Sequence, residues 1–173
     1  MGSYSVRLTI LYVVLSFGVT AQSTLPTPIQ SKPYAAMLST LLNRDVDEIS
    51  VTELYELKER PVLLDAREHE EYSVSHLPGA RYVGYDDFDL ETIADLEYDT
   101  RIVVYCSVGY RSEKITQRLR ENGYRHVSNL YGGLFEWMNR GYAVVDSEGK
   151  TTDRVHAFDR IWGIWLKRGQ KVY

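Results

Sequence analysis

Cysteine is almost absent from this chain: of 173 residues, only Cys106 carries a thiol. One cysteine cannot close an internal disulfide, and it cannot build a multi-cysteine zinc or iron–sulfur site. A basic surplus is missing too, since 20 Lys and Arg stand against 24 Asp and Glu for a formal charge of −4. That balance argues against a general nucleic-acid binder, because phosphate affinity needs a basic surface. His69, His126 and His156 lack metal-ligand spacing, so neither a metal nor a cofactor is expected. Internal repeats and low-complexity tracts are absent as well. What is present is 44% apolar and 25% charged residues, enough to bury a core and exclude wholesale disorder. The length suits one domain, with room for a tail.

The first residues read differently from the rest. Arg7 is followed by the apolar run Leu8 to Val19 and then by Thr20-Ala21-Gln22, the three parts of a secretory signal with Val19 and Ala21 at the −3 and −1 positions. Leu8 to Ala21 would make about 21 Å of helix, short of the roughly 20 residues that span a bilayer. Export to a periplasm or cell exterior is therefore expected, with an uncleaved anchor as the alternative. Gln22 to Lys32 is polar, carries two prolines and reads as a tether.

Beyond it, strands and helices alternate. Pro33 suits the start of a helix through Ala35, Met37, Leu38, Leu41 and Leu42. Ser50 with Glu53 forms a capping-box pattern before Leu54 and Leu57. Val62-Leu63-Leu64, Arg101 to Tyr105 and Val127 to Leu130 read as buried strands. Ser112 to Asn122 and Leu134 to Met138 read as helices. This alternation predicts a parallel sheet covered on both faces, which binds ligands at the carboxyl ends of its strands.

Cys106 lies at such an end. It follows a strand, precedes a helix and opens a loop that contains Gly109 and closes on Arg111. Amides in such a turn form an anion nest, and the helix adds about half a positive charge. Both effects, with a guanidinium nearby, favour the nucleophilic thiolate. Gly109 allows a backbone conformation closed to other residues.

Residues 106 to 112, C-S-V-G-Y-R-S, resemble the active-site loop of the rhodanese family. Asp65-Ala66-Arg67 through Glu71-Tyr72, Ser75-His76-Leu77-Pro78-Gly79-Ala80, and Gly132-Gly133 through Trp137 with Gly141 to Val144 resemble its flanking segments. The likeness runs from Val46 to Val145. It implies an α/β fold with a five-stranded parallel sheet flanked by helices. It also implies sulfur transfer through a Cys106 persulfide, from a small anionic donor such as thiosulfate to a thiol or cyanide. In that reading Ser107, Val108 and Gly109 stabilise the persulfide through the loop, Arg111 receives the anionic donor, and Tyr110 lines the entrance. Ser112 donates toward the sulfur or caps its helix. The alternative is a rhodanese-like carrier, sensor or partner-binding module with little turnover. Phosphatases related to the family place five residues between Cys and Arg. The four here suit one sulfur atom better than a phosphate, and an arsenate-reducing relative would lack its second cysteine.

Other candidates carry less chemistry. Arg67 at a strand end lines the pocket or buttresses the loop, and His76 beside a turn is a structural histidine rather than a base. Lys114 and Arg118 either steer anions toward Cys106 or lie on a solvated helix face with Glu113, Gln117 and Glu121. The divisions expected are a signal over 1–21, a linker and helix over 22–44, the rhodanese-like domain over 45–147, and an amphipathic helical extension over 148–173. Val155, Phe158, Trp162 and Trp165 or Leu166 give that extension its helical spacing. It is expected to fold back on the domain, with partner docking or a lid over the site as alternatives.

Overall fold

Side-chain alternation along the central strands sets the layers of the computed structural model, which describes residues 29 to 173. In β2 (Val62–Asp65) and β4 (Arg101–Tyr105), Leu63, Val103 and Tyr105 enter one core, and Leu64, Ile102 and Val104 enter the other. A period of two on a sheet buried on both faces requires this division. With β1 (Glu48–Ser50), β3 (Arg81–Tyr82) and β5 (His126–Tyr131), these strands form a five-stranded sheet in the order β1-β5-β4-β2-β3. Every pairing in it is parallel. Edge strands of three and two residues are too short to show a sequence period, and they came from the family resemblance alone.

The helices α1 (Lys32–Leu41), α2 (Val51–Glu56) and α5 (Gly133–Asn139) cover the first face through Leu38, Leu54, Leu134 and Phe135. The helix α4 (Tyr110–Glu121) covers the second through Ile115 and Leu119. The capping box at α2 forms as its sequence predicts, with the Glu53 amide 3.2 Å from Ser50 Oγ and the Ser50 amide 2.8 Å from Glu53 Oε2. The short α3 (His69–Val74) buries Glu71.

The expected C-terminal helix does not form. Instead β6 (Val144–Val145) pairs antiparallel with β7 (Thr151–Thr152), and β8 (Arg154–His156) pairs in parallel with β9 (Gln170–Val172). Between β8 and β9 the chain makes a turn of 3-10 helix, Trp162–Trp165. Asp159 caps only a single turn, its Oδ1 accepting from the amides of Ile161 and Trp162, each at 2.8 Å, and the residues on either side are taken up by the pairing of β8 with β9. Asn139 of α5 then clamps the segment, accepting from the Lys167 amide at 2.6 Å and donating to the Trp165 carbonyl at 2.9 Å. Val155, Ala157 and Leu166 are fully buried in the same core as Leu54 and Leu134. The segment beyond residue 147 thus completes the core of the domain. Among the described residues no helix is long and apolar enough to cross a membrane. The expected export signal and most of the tether lie outside the described residues.

Candidate active site

The middle strand β4 delivers Cys106 to the carboxyl edge of the sheet, where α4 begins. The thiol is buried at 1% exposure, and its Sγ lies 3.1 Å from the Gly109 amide, which donates to it. Gly109 has φ +116°, left-handed backbone that side chains rarely adopt, so glycine is what turns this amide inward. Asn129 of β5 holds the turn from below: its Nδ2 donates to the Gly109 carbonyl at 3.0 Å, and its Oδ1 accepts from Ser112 Oγ at 2.7 Å. Ser112 is therefore spent on Asn129. It neither faces the sulfur nor caps α4, whose N-cap is Gly109.

A second helix N-terminus fixes the other side. The amides of Leu134 and Phe135 in α5 donate to the carbonyls of Cys106 (2.9 Å) and Ser107 (3.0 Å). Gly133 sits at this crossing with φ +55°, and a Cβ there would lie 2.4 Å from the Cys106 carbonyl oxygen. The glycine pair before Trp137 is thus part of the cysteine loop's support.

Arg111 is not the free cation that its sequence position suggests. Its Nη1 lies 2.6 Å from Glu71 Oε2 and its Nη2 lies 2.8 Å from Glu71 Oε1, a bidentate pair. Nη2 also donates to Ser107 Oγ at 3.1 Å, and Ser107 donates to Glu71 Oε1 at 2.8 Å. Glu68 adds a second carboxylate 3.7 Å from Nη1. Burial pushes the Glu71 carboxyl up, but the Arg111 hydrogen bonds and charge, with help from Arg67 and the Glu68 amide, hold it below the ordinary carboxylate range. Sequence reasoning passed over Glu71, although it stands in the quoted Asp65–Tyr72 segment, because nothing local links it to a residue 40 positions away.

Arg67 is fully buried and does not line the pocket. Its guanidinium grips Asp65 Oδ2 at 2.6 Å and the Ser75 carbonyl at 2.6 Å, tying the end of β2 to the close of α3. His76 is structural, as expected: it stacks on Tyr72 with ring centroids 4.0 Å apart, and its Nδ1 lies 3.1 Å from the Tyr72 carbonyl oxygen. Arg118 turns away from the site onto the Phe88 ring and carbonyl. Glu113 is not solvated. It is fully buried and accepts from the amides of Asn43 (3.2 Å) and Arg44 (2.7 Å), which anchors the segment after α1.

A cavity of about 230 Å³ opens over the loop, lined by Cys106, Ser107, Val108, Tyr110 and Arg111, with Phe158 and Trp162 from the C-terminal segment. The half-exposed Phe158 has φ +64°, and its ring lies 5.3 Å from the Arg111 guanidinium carbon. The lid alternative thus describes where this segment lies, built from a turn rather than a helix.

A buried cysteine at a strand end, wrapped by a short loop on a helix N-terminus, sits on a five-stranded parallel α/β sheet. The family model "Rhodanese-like domain" matches residues 50–140, and the chain belongs to that family. A tRNA uridine(34) hydroxylase of Erwinia tasmaniensis is 37% identical over 84 residues, covering 46% of this chain and 24% of that protein. Its counterpart in Listeria welshimeri is 33% identical over 117 residues, covering 60% of this chain and 37% of that one. The chain therefore spans only a quarter to somewhat over a third of those relatives. A rhodanese-related protein of Thermoplasma volcanium superposes with a TM-score of 0.52 at 28% identity, over 57% of this chain and 97% of that one. A thiosulfate sulfurtransferase of Pseudomonas aeruginosa shares the fold, with a TM-score of 0.54 at 24% identity over 78% of this chain and 26% of that one.

Proposed function

We propose that this chain is a sulfurtransferase that carries sulfane sulfur as a persulfide on Cys106. The observation that carries the reading is the thiol's position. Sγ accepts from the Gly109 amide at the N-terminus of a twelve-residue helix and borders a cavity large enough for a small donor. An amide and a helix N-terminus at the sulfur stabilise the negative charge of a persulfide held there. The thiolate attacks the outer sulfur of a donor such as thiosulfate. A Cys106 S–S bond forms, the donor's S–S bond breaks, and sulfite leaves with the electron pair. A thiolate or cyanide then attacks the outer sulfur of the persulfide and regenerates the Cys106 thiolate. Both steps balance without a proton or an external oxidant. Arg111, Glu71 and Ser107 hold the loop's shape through both steps.

Turnover of a sulfane donor with cyanide as acceptor tests this reading. The native chain is expected to produce thiocyanate and Cys106→Ser none; equal activity in both would overturn it. The hydroxylation for which the longer relatives are named is not assigned to this chain, which covers only part of them. We also propose export, supported by Arg7, the run Leu8 to Val19 and Ala21. N-terminal sequencing of the protein from its source is expected to begin at Gln22, and an intact Met1 would contradict this.

A further inference from the structure

The lining of the cavity speaks to which donor enters. Arg111 supplies the one charged side chain among the described residues that line it, and Glu71 already neutralises that charge through two hydrogen bonds. Around it the balance is negative. Glu68 stands 3.7 Å from Arg111, and its carboxyl is pushed up by burial and, against Arg111, by the charges of Asp86, Glu71 and Asp87. Lys114, in the first turns of α4, has its ammonium 3.7 Å from Glu113 and 6.0 Å from the centre of the Tyr110 ring. A small dianion entering here would lose water, and the one charged side chain of the lining already has its carboxylate partner, which makes its entry costly.

The rest of the wall is apolar. Val108 is buried, and Phe158 and Trp162 line the same cavity as the thiol. Phe158 stays 48% exposed while its backbone sits at φ +64°. A bulky residue held there stores strain that its own burial does not offset. The Phe158 amide lies 3.2 Å from His156 Nδ1, and the ring borders the cavity rather than joining the core.

We propose that the site selects an organic sulfane-sulfur donor of low charge, its apolar group seated on Phe158 and Trp162, over inorganic thiosulfate. This rests on the sulfurtransferase reading above and names its substrate class. For an organic thiosulfonate, the Cys106 thiolate attacks the outer sulfur, the S–S bond of the donor breaks, and a sulfinate leaves with the electron pair. One negative charge enters and one leaves.

The test compares kcat/KM for benzenethiosulfonate, methanethiosulfonate and thiosulfate at one acceptor concentration, in the native chain and in two variants. Phe158→Gly removes the ring and suits the positive φ, so folding is preserved; a thermal melt checks it. Trp162→Leu removes the second ring. Intrinsic donor reactivity cancels when variant and native ratios are compared. The preference for the aromatic donor over each of the other two is expected to fall about tenfold in Phe158→Gly, the scale of losing one apolar wall contact, and to fall also in Trp162→Leu. Ratios unchanged in both variants, or native kcat/KM for thiosulfate at or above that for the aromatic donor, would overturn the substrate assignment while leaving the sulfurtransferase standing. Failure of all three donors to place sulfur on Cys106 would overturn the sulfurtransferase reading itself, and the assignment with it.

Discussion

Glu71 and Arg111, 40 positions apart, meet in a bidentate pair of 2.6 and 2.8 Å that closes the cysteine loop from the side of α3. Both side chains are mostly buried, at 3% and 14% exposure. The pair therefore serves two ends: it holds the loop through Ser107, and it removes the free positive charge beside the thiol.

Replacing Glu71 with Gln should separate these roles. Breaking a buried ion pair leaves an uncompensated charge, and a loss of about 3 kcal/mol in chemical denaturation is expected. The released Arg111 charge should also raise kcat/KM for thiosulfate relative to an uncharged-tail donor. Unchanged stability with an unchanged donor ratio would mean that the pair contributes neither.

The same pair predicts an acid limit. The Glu71 carboxyl is held below its ordinary value in the folded chain, so its stabilising contribution is complete above the unfolded value of about 4.3 and is lost as pH falls through the lower folded one. Denaturation midpoints followed downward from pH 5 should drop more steeply in the native chain than in Glu71→Gln. Parallel profiles would contradict this.

Gly133 and Gly149 offer a matched comparison, since both have positive φ, +55° and +77°. A Cβ at Gly149 meets open space, whereas at Gly133 it would press on the Cys106 carbonyl at 2.4 Å. Gly149→Ala should cost only the backbone term of about 1 kcal/mol. Gly133→Ala should cost clearly more and slow persulfide formation, because its clash displaces the loop. Equal melting temperatures would show that the crossing of α5 with the loop is not constrained.

Leu166 tests whether the C-terminal segment belongs to the core. It is fully buried with Val155 and Ala157, and Leu166→Ala should cost about 3 kcal/mol. A cost below about 0.5 kcal/mol, usual for surface changes, would contradict its place in the core.

Much of this was legible in the residues. The strands Val62–Asp65 and Arg101–Tyr105 announce themselves by short apolar runs, and Ser50 with Glu53 announces a helix start. Cys106 and Gly109 declared the loop because their chemistry is local: strand end, left-handed turn, helix start. What stayed hidden is what depends on distant partners. Glu71 finds Arg111, Asn129 finds Gly109 and Ser112, and Asn139 finds Trp165 and Lys167 only once the sheet has brought them together. The C-terminal segment misled for a related reason. Val155 and Leu166 are buried as an apolar stripe would bury them, but the pairing of β8 with β9 takes up the flanking residues without a helix.

Intact-mass and peptide mass spectrometry after incubation with a sulfane donor and removal of the excess tests the central claim most directly. The account predicts a gain of one sulfur atom located on Cys106, discharged by cyanide and absent in Cys106→Ser. A native chain that stays unmodified, or sulfur found on Cys106 that cyanide or a thiol cannot remove, would contradict it.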